Sequence, residues 1–241
     1  MLRLRDARTR ELTDVLPAGR RQLRILVTAP GQVRAYLAAD LLRRAAERSR
    51  LLPEVSELLP ATAEASQLRA RCEALNIHPP EATLAAPPAA DGTPPFDVAF
   101  GLAGEPAGDL TGLARLWARV ADGRDEAELA QPPLAVRLSL LRHGYGEPLG
   151  AHWAPADEAG TLSRWRTLVA QWAQSPSGAI SRPHAEAITE AFANDLDSPA
   201  ALASLDALEE DPAVMDGVKF ETFAAADRLF GLDLARDIGK Y

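Results

Sequence analysis

The chain has 241 residues, 47% hydrophobic and 25% charged, enough to bury a substantial core in one large or two small domains. Its formal net charge is −8. No apolar run approaches the ~20 residues that span a bilayer, and the charged start Met1-Leu2-Arg3-Leu4-Arg5-Asp6 lacks a signal peptide's apolar stretch, so no membrane partner is expected.

Taken in chain order, Leu2 to Arg5 and Arg10 to Leu16 read as a short opening hairpin. Leu23 to Ala29 is apolar and bounded by Pro30-Gly31, which suits a buried strand. A helix is expected from Val33 to Ser49, with Tyr36, Leu37, Asp40, Leu41, Arg44 and Ala45 at helical spacing. Leu51 to Leu58 reads as a second strand despite Pro53. Thr62 to Leu75 reads as a helix with Thr62 as N-cap and Ala65, Leu68, Cys72 and Leu75 on one face. Residues 79–95 hold three Pro-Pro pairs among Ala and Gly and are expected to be a linker.

Phe96 to Phe100 reads as a short strand ending at Gly101. Leu110 to Ala121 is expected to be a helix, with Leu110, Leu113, Trp117 and Val120 on one side. The pattern to this point is βαβαβ, which predicts a small parallel sheet. Helices are then expected at Leu134–Arg142 and at Ala156–Gln174, the latter with a stripe of Leu162, Trp165, Leu168, Val169 and Trp172. Arg182–Ala193 follows, with Pro183 in its first turn. Ser198 is read as the cap of a helix opening at Pro199, and Phe220–Phe230 as a last helix stopped by Gly231.

Cys72 is the single cysteine, which excludes an intrachain disulfide and fits a reducing cytoplasm. Charge is uneven along the chain. Residues 1–50 carry twelve Arg against five acidic residues, a net of +7, which leaves −15 for the rest. A basic face suits phosphate groups. Pairing with the chain's own acidic carboxyl-terminal region is the preferred reading, because charge asymmetry alone is weak evidence for a partner.

Three stretches, in order, resemble class I cysteinyl-tRNA synthetases and the related cysteine ligase of mycothiol synthesis. The first is Met1 to Arg10, Arg24 to Gly31 and Asp40-Leu41-Leu42-Arg43-Arg44. The second is Pro133 to Leu141 with His143-Gly144-Tyr145, Trp153, Leu162, Arg164 and Trp165. The third is Phe192-Ala193-Asn194-Asp195-Leu196-Asp197-Ser198-Pro199-Ala200-Ala201-Leu202. Ala74 to Pro80 fits the family's link after its second helix, and Phe230 to Leu234 fits its close.

The departures bear on activity. The family holds ATP with a His-Ile-Gly-His or His-Ile-Gly-Asn loop, whose histidines and helix-end amides stabilise charge developing during adenylation. Here only Gln32-Val33-Arg34 follow Gly31, without a histidine. The family's Lys-Met-Ser-Lys-Ser clamp has no counterpart, since no Lys precedes Lys219. Thr28 stands where the family has its first zinc-binding Cys, and Cys72, His78, His143, His152 and His184 show no ligand spacing, so zinc is not expected.

Thr28, Ala29, Pro30, Gly31 and Arg34 form the candidate vestigial nucleotide or amino-acid site, at the carboxyl end of the first strand where open α/β sheets bind ligands. An ordinary strand-to-helix turn is the competing reading. Arg137 is read as tying its helix to the core, and His143 with Tyr145 as shaping a turn. Asp195 and Asp197 are read as helix capping rather than an acid–base pair.

The expected architecture is α/β: a small Rossmann-like parallel sheet in residues 1–131, then an α-helical bundle in 132–241. The preferred functional reading is a cytoplasmic, truncated and degenerate cysteinyl-tRNA synthetase paralogue that binds a small molecule or protein and needs no cofactor. A residual ATP-dependent ligase is the second reading. A tRNA-binding module using the amino-terminal arginines is the third, disfavoured by the acidic carboxyl-terminal region.

Overall fold

A computed structural model describes residues 1–28, 32–58, 63–88, 92–102, 110, 112–121, 132–150 and 153–240. The chain divides into two compact units. The first is Met1–Arg124 with Tyr145–Gly150 and Ala193–Leu196, and the second is Asp125–Gly144 with Ala151–Phe192 and Asp197–Tyr241. Among the described residues, no helix is long and apolar enough to cross a membrane.

The first unit is a Rossmann-like α/β structure. Strands β1 (Arg3–Arg5) and β2 (Leu12–Asp14) pair antiparallel, the hairpin expected from the sequence. The main sheet is built from β3 (Gln22–Val27), β4 (Leu52–Leu58), β5 (Ala82–Leu84), β6 (Phe96–Leu102) and β7 (Ala114–Val120). Its order is β5-β4-β3-β6-β7 and every pairing is parallel. Helix α1 (Val33–Arg48) is buried over nearly its whole first three turns, as a helix laid against a sheet must be, and α2 (Ala63–Ala74) buries the expected Leu68 and Cys72.

Two expectations are corrected here. Leu110–Ala121 is not a helix: residues 114–120 form β7, pairing Phe96 with Ala114 and Leu102 with Val120. Ala114, Leu116, Ala118 and Val120 share one buried face, while on the other the buried Trp117 stands between Arg115 and the exposed Arg119 and interrupts the alternation of apolar and polar residues. The linker of residues 79–95 contains β5, which pairs Ser56 with Ala82 and Leu58 with Leu84. The sheet thus has five strands where about three were expected.

The amino-terminal ribbon closes the β7 edge. The Ala7 N–H donates to Trp117 O at 2.7 Å, and Arg115 Nη2 donates to Asp14 O at 2.6 Å. Residues 193–196 add to the other side of β1. Arg3 and Asn194 form a parallel bridge, and Asp195 N–H donates to Arg3 O at 2.9 Å. Asp195 and Leu196 hold positive φ values of 63° and 51°, a left-handed geometry that is costly for residues with a Cβ.

The second unit contains α3 (Pro133–Leu141), α4 (Asp157–Trp172), α5 (Arg182–Ala193), α6 (Ser198–Glu210) and α7 (Asp216–Phe230). The aromatic stripe of α4 is core: Trp165 and Trp172 meet Phe223 edge-on at 5.7 and 5.2 Å, and Phe192 meets Phe230 at 5.3 Å. Gly231 stops α7 in the left-handed conformation, φ 65°. The carboxylate of Asp227 then accepts from Leu232 N and Leu234 N at 2.7 and 2.9 Å. The cap of α6 is Asp197, not Ser198: its side chain accepts from Ala200 N at 3.0 Å, one residue earlier than expected. Arg137 is wholly buried and its Nε donates to Phe230 O, the structural tie read from the sequence.

The turn after α4 approaches the start of α7 without room for a side chain. A Cβ on Gly217 would stand 1.9 Å from Pro176 O, a backbone atom. Gly217→Ala is expected to lower unfolding stability by about 2 kcal/mol through forced displacement. Gly160→Ala, where a Cβ meets nothing within 4 Å, is expected to be neutral or stabilising. Paired urea melts check the contrast.

Candidate functional site

The chain leaves β3 for β4 on one side and returns to β6 on the other, so strand order reverses between β3 and β6. In open α/β sheets the crevice at the carboxyl ends of the strands at such a point is where ligands bind. Thr28 lies there, immediately after β3. It is buried, its N–H donates to Phe100 O at 2.9 Å and its Oγ1 to the same carbonyl at 3.2 Å. Ala29, Pro30 and Gly31 lie outside the described residues. Arg34 is in the first turn of α1, 97% shielded from water, with Nη1 donating to Glu147 O at 2.7 Å. Its guanidinium is therefore bound to the chain's own backbone, not solvated.

The carboxyl end of β4 holds a polar cluster that sequence reasoning missed. Glu57 is buried in the strand and accepts from three side chains. Tyr36 Oη donates at 2.8 Å, Arg69 Nη2 at 2.6 Å and Thr83 Oγ1 at 2.8 Å. These four residues come from α1, β4, α2 and β5, so the cluster locks one half of the sheet's carboxyl edge. Burial, reinforced by the bond to Glu57, pushes the Tyr36 phenol far above its ordinary range. The one signal in the sequence was a glutamate at the end of an otherwise strand-like run.

Tyr145 does more than shape a turn. Its ring meets Phe100 edge-on at 5.9 Å and its hydroxyl donates to Asp195 Oδ1 at 2.6 Å. The same oxygen accepts from Arg5 N at 2.8 Å, and Arg5 Nε lies 3.6 Å from the carboxylate. Asp195 is thus an anchor for Tyr145 and β1 rather than a helix cap, which corrects the expectation. Burial, then the carboxylate of Asp195, drives the Tyr145 phenol well above its ordinary range.

Four more buried or half-buried groups complete the electrostatics. Asp97 meets Arg20 at 3.2 Å and Arg24 at 3.7 Å, and Asp6 meets Arg8 at 2.7 Å. Burial works against the Asp6 carboxylate, yet the bonds from Arg8 hold it below the usual range. Asp40 meets Arg44 Nε at 2.8 Å and His78 Nδ1 at 2.7 Å. Arg5, Arg8, Arg20, Arg24, Arg43 and Arg44 thus meet acids within their own unit, whereas pairing with the acidic carboxyl-terminal region was expected. The thiol of Cys72 is pushed up to about 12, first by burial, and is far from a thiolate. Among the described residues, no three His, Cys, Asp or Glu side chains gather as a metal-holding group.

No known family profile matches the chain. Among curated proteins it is similar to ligases named L-cysteine:1D-myo-inositol 2-amino-2-deoxy-alpha-D-glucopyranoside ligase. The Streptomyces coelicolor protein is 38% identical over 111 residues, 42% of this chain and 25% of that protein. The Parafrankia protein is 38% identical over 103 residues, 42% and 20% respectively. The Thermomonospora curvata protein is 33% identical over 139 residues, 53% and 29%. Over these stretches the chain is a relative of the cysteine ligases. The resemblance read from the sequence is borne out to that extent. The matches span only about a quarter of the length of these curated relatives.

The Tyr36–Glu57 bond makes stability depend on alkaline pH. The folded Tyr36 keeps its proton at pH values where the unfolded chain's tyrosine, near 10.0, gives it up. Its contribution is therefore full below pH 10 and falls as pH rises above that value, with Tyr145 acting in the same direction. Tyr36→Phe is expected to cost about 1 kcal/mol at pH 7. It is also expected to flatten the decline above pH 10, checked by urea unfolding across pH 7–11.

Proposed function

We propose that this chain is a ligase-related protein that does not form an aminoacyl adenylate, and that it acts by binding a small molecule or a protein. The observation that carries this is the engagement of the polar side chains at the carboxyl edge. Thr28 is bonded to Phe100 O and Arg34 to Glu147 O, while Tyr36, Arg69 and Thr83 converge on Glu57. Adenylation needs donors aimed at the charge that develops on phosphate. Here the described donors are aimed at the chain's own carbonyls and carboxylate.

The donor chemistry supports the absence of a resident zinc or ATP. A threonine hydroxyl bonded to a carbonyl replaces the thiolate that would grip zinc, and Cys72 is held as a buried thiol. Ion pairing of Arg20, Arg24, Arg43 and Arg44 with carboxylates favours a small molecule or protein over tRNA as partner, because these cations are already neutralised. No helix suited to crossing a membrane occurs among the described residues, and a cytoplasmic location is part of this proposal.

ATP–pyrophosphate exchange tests the reading. The purified chain, supplied with cysteine and then with every other proteinogenic amino acid, is expected to exchange no label above a protein-free control. Exchange that disappears in Arg34→Ala would establish a residual ligase instead. Filter binding of tRNA tests the partner class: no salt-sensitive retention is expected at low ionic strength. Retention lost on replacing Arg20, Arg21 and Arg24 would return the chain to the RNA-binding class.

A further inference from the structure

The pair formed by Asp40 and His78 has a geometry that simple turn-fixing does not require. Asp40 sits in the middle of α1 with its side chain 0% exposed, whereas the side chain of His78, in the turn after α2, is 48% exposed. His78 Nδ1 lies 2.7 Å from Asp40 Oδ1, and the same oxygen accepts from His78 N at 3.2 Å. Asp40 Oδ2 accepts from Arg44 Nε at 2.8 Å. An ionised carboxylate only accepts, so Nδ1 carries the hydrogen, and in the neutral form of the ring Nε2 is the nitrogen with the lone pair.

The ring is also held in place from outside. Asn76, at φ 55°, turns the chain, and Pro79 restricts the backbone of His78. Arg44 Nη2 donates to Asn76 O at 2.8 Å, and both terminal nitrogens of Arg43 donate to Pro79 O at 3.3 Å. The other described histidines differ: His143 Nδ1 faces the carbonyl of Ser139 at 3.0 Å, and His184 Nδ1 the hydroxyl of Ser181 at 2.8 Å. Among the described histidines, His78 has its ring backed by a buried carboxylate.

We infer that His78 is a phosphoryl-accepting residue, modified at Nε2 by an N-phosphoryl donor, independently of whether the chain forms adenylates. The Nε2 lone pair forms the new N–P bond as the P–N bond of the donor breaks. With phosphoramidate as donor, the departing nitrogen already carries its protons and leaves as ammonia. The imidazole becomes positively charged in this step, with Nδ1–H still directed at Asp40. The carboxylate therefore stabilises the charge that develops, as the acid of a catalytic triad stabilises its imidazolium.

Potassium phosphoramidate is the probe. The full chain is incubated at neutral pH, and labelled positions are found by peptide mass spectrometry and phosphorus NMR. His78 is expected to be labelled on Nε2 about tenfold faster than His143 and His184, and the signal is expected to vanish in His78→Gln. Asp40→Asn, with circular dichroism confirming the fold, is expected to slow the labelling about tenfold, the scale on which such supporting carboxylates act. Labelling on Nδ1, a rate no greater than that of the other two histidines, or an undiminished rate in folded Asp40→Asn would overturn the assignment. Because Asp40→Asn removes a buried anchor, nitrogen NMR of the unmodified chain gives a second measurement. An Nδ1–H tautomer at His78 is expected, and an Nε2–H tautomer would refute the proposal.

Discussion

A carboxylate taken out of water must be met by donors or the structure around it does not form. The first unit is organised by this constraint. Asp6, Asp40, Glu57 and Asp97 are all buried, and each holds an arginine: Arg8, Arg44, Arg69 and Arg20 respectively. Asp97 and Glu57 also join pieces of chain distant in sequence. Asp97 on β6 binds the start of β3 through Arg24 N, and Glu57 binds α1, α2 and β5 together. The hydrophobic sheet supplies the bulk of the burial, and these carboxylates fix the register in which it is buried.

The same constraint shapes what the carboxyl edge of the sheet presents. The switch point between β3 and β6 is where a Rossmann-like fold receives a ligand, yet there Thr28 and Arg34, among the described residues, are engaged in internal bonds. The constraint also acts on the basic amino-terminal stretch, where Arg5, Arg8, Arg20, Arg24, Arg43 and Arg44 meet acids of the same unit, Asp195 among them from late in the chain.

What the sequence revealed follows a physical pattern. The run Leu23 to Val27 followed by α1, the helix-opening prolines Pro183 and Pro199 and the left-handed stop at Gly231 are local signals, and the structure places them where they were read. β7 failed because Leu113, Trp117 and Val120 recur at helical spacing, while Trp117 interrupts the strand alternation that Arg115 and Arg119 mark. β5 is three residues among prolines and exists only because β4 is beside it. Of the candidate site, the position of Thr28 at the strand end was legible. Glu57 and Asp40 were not legible as hubs, since, Arg44 apart, their partners are 12 to 38 residues away and only folding brings them together.

The hydrogen bond from Ala7 to Trp117 has an effect beyond holding the ribbon in place. A parallel sheet ending in a seven-residue strand is a template on which another chain can polymerise. Here the opening ribbon occupies that border, and the opposite border tapers to the three residues of β5. The first dozen residues therefore act as a guard, keeping copies of this protein from stacking strand upon strand in a crowded cell.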